Sequence, residues 1–163
     1  MALPGRHMAS NAAAAIAVGD ALGVSLESMV AGLATARVAA HRMAEVITSR
    51  GVLVLDDSYN ANPTSMEAAL RTLAALPAKR KTALLGLMAE LDEPAIAHRQ
   101  IAELADRLGI VVVGVATNLY ATRSTSLDEA VAMVQAMDSD DAVLVKGSRV
   151  AGLERVVESV SPR

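Results

Sequence analysis

From about residue 41 onward, short apolar runs alternate four times with helical segments, and this alternation is the sequence feature that most restricts the fold. The clearest apolar run is residues 110–115 (IVVVGV), a pattern typical of a strand that is covered on both faces. The intervening segments place apolar residues three or four positions apart, as amphipathic helices do. The alternation therefore predicts an α/β fold with a doubly wound, mostly parallel sheet.

The same patterns give approximate element positions. Residues 46–48 and 52–55 predict a hairpin around the turn at residues 49–51, so the first of these strands is an expected antiparallel edge strand. Asn62 and Pro63 favour a helix start, and Pro77 favours its end. Further strands are predicted at residues 83–86, 110–115 and 142–145, and further helices at residues 94–108, 127–137 and 150–160.

Residues 1–40 show no strand pattern and predict two helices only. The Ala-rich segment 11–22 has high helix propensity and is followed by Gly23, a common residue after a helix end. Ser25 is a favourable N-cap for a second helix that reaches Leu33. Two short helices bury little surface by themselves, so we expect them to pack on another part of the protein.

Composition excludes several classes of function. Only two residues, both Tyr, are aromatic, which argues against a base-stacking platform for single-stranded nucleic acid. The net charge of −3 argues against binding a polyanion, and the absence of Cys excludes disulfides and thiolate metal sites. Because no apolar run reaches the roughly 18 residues that span a bilayer and no signal-peptide pattern follows Met1, we expect a cytoplasmic protein without membrane insertion.

Three polar segments follow predicted strands, at the position where ligands gather in open parallel sheets. Residues 56–63 (DDSYNANP) combine two carboxylates, which can accept hydrogen bonds from ribose hydroxyls, with further polar side chains. Residues 146–149 (KGSR) place two cations and a hydroxyl before a predicted helix, a favourable arrangement for an anion. Residues 86–93 (GLMAELDE) carry three acids without histidine partners, so we predict no metal site there.

Each segment also has a purely structural interpretation. Asn62 alone is better explained as a helix cap, although a cap does not require the whole polar run at 56–63. The cations at 146–149 are equally compatible with solvated charges next to a Ser cap. A lone helical histidine such as His98 is interpreted as a surface residue. The P-loop pattern G-x-x-x-x-G-K-[ST] is absent from the sequence, so a triphosphate cradle of that type is excluded.

Residues 57–63 (DSYNANP) resemble the motif that opens the C-terminal domain of Mur ligases, the ATP-dependent amide ligases of bacterial cell-wall synthesis. Within that family the Tyr59-Asn60 form resembles the branch that adds D-alanyl-D-alanine to UDP-N-acetylmuramoyl-tripeptide. Leu87 and Met8 depart from the family, which usually has Asp and Asn at these positions. Four more stretches resemble family elements in order and spacing: residues 5–12 (GRHMASNA), 41–46 (HRMAEV), 85–91 (LGLMAEL) and 145–149 (VKGSR).

The resemblance implies two portions of a three-domain enzyme. Residues 1–40 resemble the end of the central ATPase domain, and residues 41–163 resemble the Rossmann-like C-terminal domain. We therefore expect a fragment that is inactive alone and that needs the missing N-terminal and central domains. In the family, ATP phosphorylates the tripeptide carboxylate and the dipeptide amine attacks the acyl phosphate. ATP and Mg²⁺ belong to the intact enzyme, and this fragment is expected to bind neither tightly.

Roles for individual residues follow from the resemblance, and none of them is catalytic or metal-binding. Asp57 is expected to accept the ribose hydroxyls, Arg42 to lie against adenine, and His7 with Asn11 to contact the edge of the base. Tyr59 and Asn60 are expected to face the nucleotide. The residues expected to bind the dipeptide are Asn62, Lys146, Ser148 and Arg149.

Two alternatives remain open at this stage. The chain could belong to another Mur-type amide ligase, or it could be a flavodoxin-like binding or regulatory module. In the second case Asp56 and Asp57 would form an acidic pocket, and Lys146 would be the lysine that receiver domains carry after a late strand. Against it, no phosphoacceptor Asp follows the predicted strands at 83–86 and 110–115.

Overall fold

The structure is a computed structural model that describes the backbone of residues 6–36 and 40–162, with side chains from residue 9 onward. It divides into two compact units, Met1–Ala39 and Ala40–Arg163. Among the helices that the structure describes, none combines the length and apolar character needed to cross a membrane.

The first unit consists of two helices, α1 (Arg6–Ala21) and α2 (Leu26–Thr35). The Oγ of Ser25 accepts a hydrogen bond from the backbone N–H of Ser28 at 3.3 Å, which confirms the predicted N-cap. Helix α1 begins five residues before the predicted start at residue 11, because the flanking residues continue the same helical pattern. No residue of α2 is buried, so the pair has no core of its own.

The second unit is built on a six-stranded sheet with the spatial order β1-β2-β6-β3-β4-β5. Strand β1 pairs antiparallel with β2, and all other neighbours are parallel. This confirms the predicted class, including the antiparallel edge strand. The strands are β1 (Ala44–Ile47), β2 (Leu53–Asp57), β3 (Arg80–Leu85), β4 (Val111–Val115), β5 (Arg123–Thr125) and β6 (Asp141–Lys146).

Four helices cover the two faces of this sheet. Helices α3 (Pro63–Ala75) and α4 (Pro94–Arg107) pack against one face, and α5 (Leu127–Gln135) and α6 (Glu154–Val160) against the other. Alternate residues of each strand enter each core, as the pleat requires. The core under α5 and α6 contains, among others, Val54, Leu84, Val143, Val145, Val156 and Val157.

Two sequence predictions differ from the structure. Strand β5 was not predicted, because it has three polar residues, of which only Thr125 is buried, and it lacks an apolar alternation. The last helix was predicted from residue 150, but α6 begins at Glu154. A single 3-10 turn, Arg149–Ala151, comes first and ends at Gly152, whose φ of +63° interrupts the helical path. Residues 146–149 therefore lead into this turn and not into the first turn of an α-helix, as the sequence had predicted.

The topology brings the three polar segments to one edge of the sheet. Because β6 is inserted between β2 and β3, their carboxyl ends are neighbours, and Lys146 is in register with Asp57 on one side and Leu85 on the other. The loops that follow these strands start next to one another. We refer to the residues at this edge, 41–43, 56–62, 86–93 and 146–149, as the carboxyl-edge site.

Candidate functional site

An ion pair between Asp57 and Lys146 lies at the centre of the carboxyl-edge site. The Lys146 Nζ donates to Asp57 Oδ2 at 2.5 Å and to the backbone oxygen of Asn60 at 2.9 Å. The other carboxylate oxygen of Asp57, Oδ1, accepts from the backbone N–H of Met43 at 3.0 Å. The Lys146 side chain is only 2% exposed, whereas that of Asp57 is 17% exposed. Asp57 therefore reaches the surface of the site, whereas Lys146 contacts it from the protein interior.

Burial lowers the pKa of Lys146 from its ordinary value, because the low-dielectric interior disfavours the charged ammonium. The nearby Asp57 carboxylate opposes this shift, and the guanidinium of Arg42 adds to it. Removing the carboxylate would thus leave a buried cation whose remaining hydrogen bond, among the described residues, is to the carbonyl of Asn60.

The adjacent carboxylate, Asp56, is occupied by internal partners. Its Oδ2 accepts from the Nδ1 of His41 at 2.8 Å, and its Oδ1 accepts from the N–H and Oγ of Ser58 at 3.2 and 2.6 Å. Asp56 is buried. A pocket that presents both carboxylates, as a flavodoxin-like regulatory module would need, is therefore not formed, since Asp56 is buried among its own partners.

Residues 41–43 are fixed across the end of β2. His41 and Met43 have φ values of +62° and +54°, in the left-handed region that side chains disfavour. Three observations explain why this backbone persists: the His41 carbonyl accepts from the Tyr59 N–H at 3.0 Å, Asp57 holds the Met43 N–H, and the Met43 side chain is buried. Arg42, between these two anchored residues, is therefore presented at the site.

The ring of Tyr59 lies between two guanidinium groups. The Cζ of Arg42 is 4.1 Å from the ring centroid, and that of Arg149 is 5.6 Å from it. Both distances are within the range of cation–π attraction. Tyr59 is 40% exposed, and both arginines are exposed as well. The surface of the site thus combines a planar ring with two cations, a combination suited to ligands that carry an anionic group.

Ser148 joins the three loops of the site. Its Oγ accepts from the Ala89 N–H at 2.8 Å and donates to the Ala61 carbonyl at 3.3 Å, and its N–H donates to the Leu87 carbonyl at 2.8 Å. Gly147 allows this close approach, because a Cβ there would lie 3.1 Å from the Cα of Gly86. The Ser148 hydroxyl is buried by these contacts, so its bonds are made to the protein.

Two aromatic side chains that sequence reasoning did not assign to the site hold the loop at 86–93. His98 is fully buried, which corrects its interpretation as a surface residue. Its Nε2 accepts from the Met88 N–H at 2.9 Å, and its Nδ1–H donates to the Pro94 carbonyl at 2.6 Å. The edge of its ring packs on Tyr120, whose hydroxyl donates to the Gly86 carbonyl at 2.8 Å. One available signal for His98 was its spacing, three and seven residues before Ile101 and Ala105, the buried positions of α4.

The buried His98 makes stability depend on pH in a defined window. Burial lowers its pKa, so the unfolded imidazole takes up a proton near pH 6.5 while the folded one stays neutral. Stability contributed by the neutral form is therefore lost as pH falls from about 6.5 towards the folded pKa. We expect His98→Gln to be less stable than the parent chain by about 1–3 kcal/mol at pH 7.5 and to lose less stability between pH 7.5 and 5. Urea unfolding at several pH values measures this, and parallel pH curves for the two proteins would contradict it.

Asn62 caps α3. Its Oδ1 accepts from the Ser65 N–H at 2.9 Å, and its own N–H donates to the Ser65 Oγ at 3.1 Å, forming a reciprocal capping box. We expect Asn62→Ala to reduce the free energy of unfolding by about 1 kcal/mol and Asn62→Ser to be nearly neutral, because Ser is also a good cap. Chemical denaturation measures both variants. Equal losses for the Ser and Ala variants would contradict a capping role and favour the predicted substrate contact.

The structure places the predicted site residues as follows. Helix α1 contains both His7, whose side chain is outside the described part, and Asn11, which is exposed in the first unit. The other eight are brought together at the carboxyl edge. Lys146 and Ser148 are buried there, Asp57 is partly exposed, and the exposed ones are Arg42, Tyr59, Asn60, Asn62 and Arg149.

Comparison with known families gives a match over the second unit. Residues 41–149 match the family model described as "Mur ligase, glutamate ligase domain". The chain belongs to the Mur ligase family. This membership agrees with the resemblance inferred from the sequence motifs, and the matched range contains the whole carboxyl-edge site.

Individual proteins of the family are similar to this chain over nearly its whole length. The chain is 37% identical over 171 residues to the UDP-N-acetylmuramoyl-tripeptide–D-alanyl-D-alanine ligase of Escherichia coli (strain K12), covering 97% of this chain and 38% of that protein. A crystal structure of MurF from Acinetobacter baumannii is 31% identical with a TM-score of 0.82, covering 96% of this chain and 37% of that one. The MurF ligase of Thermotoga maritima in complex with ADP is 25% identical, also with a TM-score of 0.82, over 97% and 38%. The chain thus spans well under half the length of the relatives it matches.

Proposed function

We propose that this chain is the C-terminal part of an ADP-forming ligase that joins D-alanyl-D-alanine to UDP-N-acetylmuramoyl-tripeptide in peptidoglycan synthesis. The observation that carries the proposal is the 37% identity to the Escherichia coli ligase over 97% of the chain. The clustering of Asp57, Tyr59 and Arg149 at one edge of the sheet supports it, because a substrate site in an open parallel sheet lies at this edge. The first unit is then the end of the ATPase domain.

The partly exposed acid of the carboxyl-edge site fits the nucleotide role. Each Asp57 oxygen accepts one internal hydrogen bond and has a second lone pair, so the carboxylate can still accept ribose hydroxyls. Arg42 and Tyr59 offer a stacked guanidinium and ring against which adenine can lie, next to Asn60. The ADP complex of the Thermotoga maritima relative supports an adenine nucleotide as the ligand. For His7 and Asn11 the proposed role in the intact enzyme is contact with the edge of the base.

The exposed guanidinium of Arg149 is the best candidate for the dipeptide carboxylate. It lies beside Tyr59, and an arginine can pair with a carboxylate in bidentate geometry. With the carboxylate held there, the dipeptide amine remains free to attack the acyl phosphate in the intact enzyme. Holding both reactants in this geometry, with water excluded, is the contribution that we assign to this domain.

Phosphate and metal chemistry is assigned to other parts of the enzyme. The sequence contains no P-loop pattern, and in the described part of the chain no three His, Asp or Glu side chains are grouped to hold a metal ion. We therefore propose that the fragment is inactive alone and acts in the cytoplasm together with the missing domains.

The proposal is tested by assaying the protein that also carries the N-terminal and central domains. We expect ADP release that depends on both UDP-N-acetylmuramoyl-tripeptide and D-alanyl-D-alanine, and none from the 163-residue chain. Arg149→Ala should raise the KM for the dipeptide about tenfold, while Arg99→Ala, an exposed arginine on α4, should not. ADP release with a single amino acid and not with the dipeptide would identify another Mur-type ligase. Rapid ATP hydrolysis by the chain alone would contradict the fragment interpretation.

A further inference from the structure

We propose that Lys146 is a positioning residue for the nucleotide side of the site, acting through Asp57 on residues 41–43, rather than a ligand for the dipeptide carboxylate. This inference rests on the proposed function and deepens it. Judged by its positive charge alone, Lys146 would be expected to bind a substrate carboxylate, and the structure assigns it a different role. Three features of the structure carry it: where Lys146 lies, what its ammonium contacts, and what Asp57 does with its second oxygen.

Lys146 ends β6, the strand that the topology inserts between β2 and β3, and all six residues of β6 are buried. Its side chain is among the largest fully buried ones in the described part of the chain. Two of the three ammonium protons are already donated, to Asp57 and to the Asn60 carbonyl, and the side chain is only 2% exposed, so a substrate carboxylate could reach the ammonium only if the groups that bury it moved. Arg149, by contrast, is already exposed next to Tyr59 and needs no such rearrangement.

The ammonium of Lys146 fixes the orientation of Asp57. Its bond to Oδ2 leaves Oδ1 directed at the Met43 N–H, so the two carboxylate oxygens are held by two different elements. The contact also places a positive charge directly against a partly buried carboxylate, so neither charge lies there without a partner. The second donation, to the Asn60 carbonyl, holds the loop after β2 in the same arrangement.

Asp57 transmits this arrangement to Arg42. The Met43 N–H bond and the Tyr59 N–H bond to the His41 carbonyl hold the backbone on both sides of Arg42, with His41 and Met43 in the disfavoured left-handed region. Without Lys146, Asp57 loses its defined orientation, and this strained segment loses one of its anchors. The expected consequence is a weaker contact with the nucleotide and little effect on the dipeptide.

The test uses Lys146→Met in the protein that also carries the N-terminal and central domains. We expect the KM for ATP to rise about tenfold, because an orienting charged hydrogen bond is lost, with the KM for D-alanyl-D-alanine and kcat each within about twofold of the parent. The matched control is Lys81→Met, since Lys81 is a half-buried lysine on β3 that bonds the Ala74 carbonyl; it should leave both KM values unchanged. A rise in the dipeptide KM with an unchanged ATP KM would overturn the inference and restore Lys146 as a dipeptide ligand.

A second measurement needs no variant and no activity. In the unaltered 163-residue chain, the Lys146 ammonium is buried and bonded to two acceptors, so its protons should exchange slowly enough with water to be observed by NMR. Fast exchange, as for a solvated lysine, would overturn the inference even if Lys146→Met does not fold. If the intact protein shows no dipeptide-dependent ADP release but the ammonium is protected, the proposed function fails while the pairing of Lys146 with Asp57 stands.

Discussion

Replacing Asp57 by alanine in the protein that carries all three domains is expected to raise the KM for ATP by about ten- to a hundredfold, with a much smaller change in the KM for the dipeptide. Hydrogen bonds to a charged group contribute about 1.5–3 kcal/mol each, and Asp57 is expected to accept the ribose hydroxyls directly. The same substitution also releases the Met43 N–H and leaves Lys146 without its anion. We therefore expect two losses: the direct hydrogen bonds between Asp57 and the ribose, and the anchor that holds the segment with Arg42 in place.

The control must separate this effect from general destabilisation, because removing one partner of a buried ion pair weakens any fold. Asp141→Asn is suitable: Asp141 is buried at the amino end of β6 and pairs with Arg80 at 2.7 and 2.6 Å, at the opposite end of the strand from Lys146. We expect this variant to unfold more easily and to keep its KM for ATP. Initial-rate kinetics below both melting temperatures decide the matter, and an unchanged ATP KM in Asp57→Ala would remove the ribose assignment.

The sequence predicted the fold class because each element has a local cause. The β-branched run of β4 and the capping residue Asn62 require no information from distant residues, and both are found where they were expected. The position of β6 between β2 and β3 has no local cause. It depends on how α3 and α5 cross the sheet, and this tertiary choice makes Asp57 and Lys146 neighbours although 89 residues separate them.

The same distinction explains which site residues could be placed near one another from the sequence alone. Asp57, Tyr59 and Asn60 belong to one continuous motif, so the resemblance placed them together without knowledge of the sheet. Lys146 was assigned to the dipeptide carboxylate because an anion needs positive partners, and its burial became visible only in the folded sheet. His98 was assigned to the surface, since its partner, the Met88 N–H, lies on a separate loop that periodicity does not reveal.

Gly114 shows how a residue inside a regular strand can determine the geometry of the distant loops. In the sequence it interrupts the valine run of β4 without an evident reason. In the structure a Cβ at this position would lie 2.4 Å from the backbone oxygen of Thr117 and 3.6 Å from Cδ2 of Tyr120. The chain leaves β4 and turns back tightly over Gly114, and this turn carries Tyr120 to the Gly86 carbonyl in the carboxyl-edge site.

We expect Gly114→Ala to destabilise the second unit by about 3 kcal/mol or more, because the contact is with backbone and cannot be relieved by a side-chain rotation. Gly109→Ala is the matched control: nothing lies within 4 Å of a Cβ there, but its φ of +69° is unfavourable for alanine, which costs about 1–2 kcal/mol. Urea denaturation of both variants compares the cost of a clash with backbone atoms at Gly114 with the cost of an unfavourable φ at Gly109. Since displaced Tyr120 would also release the Gly86 carbonyl, we expect faster amide exchange in residues 86–89 of Gly114→Ala and not of Gly109→Ala. Equal losses of stability in the two variants would show that the turn after β4 can move aside, and that the loop at 86–93 does not depend on it.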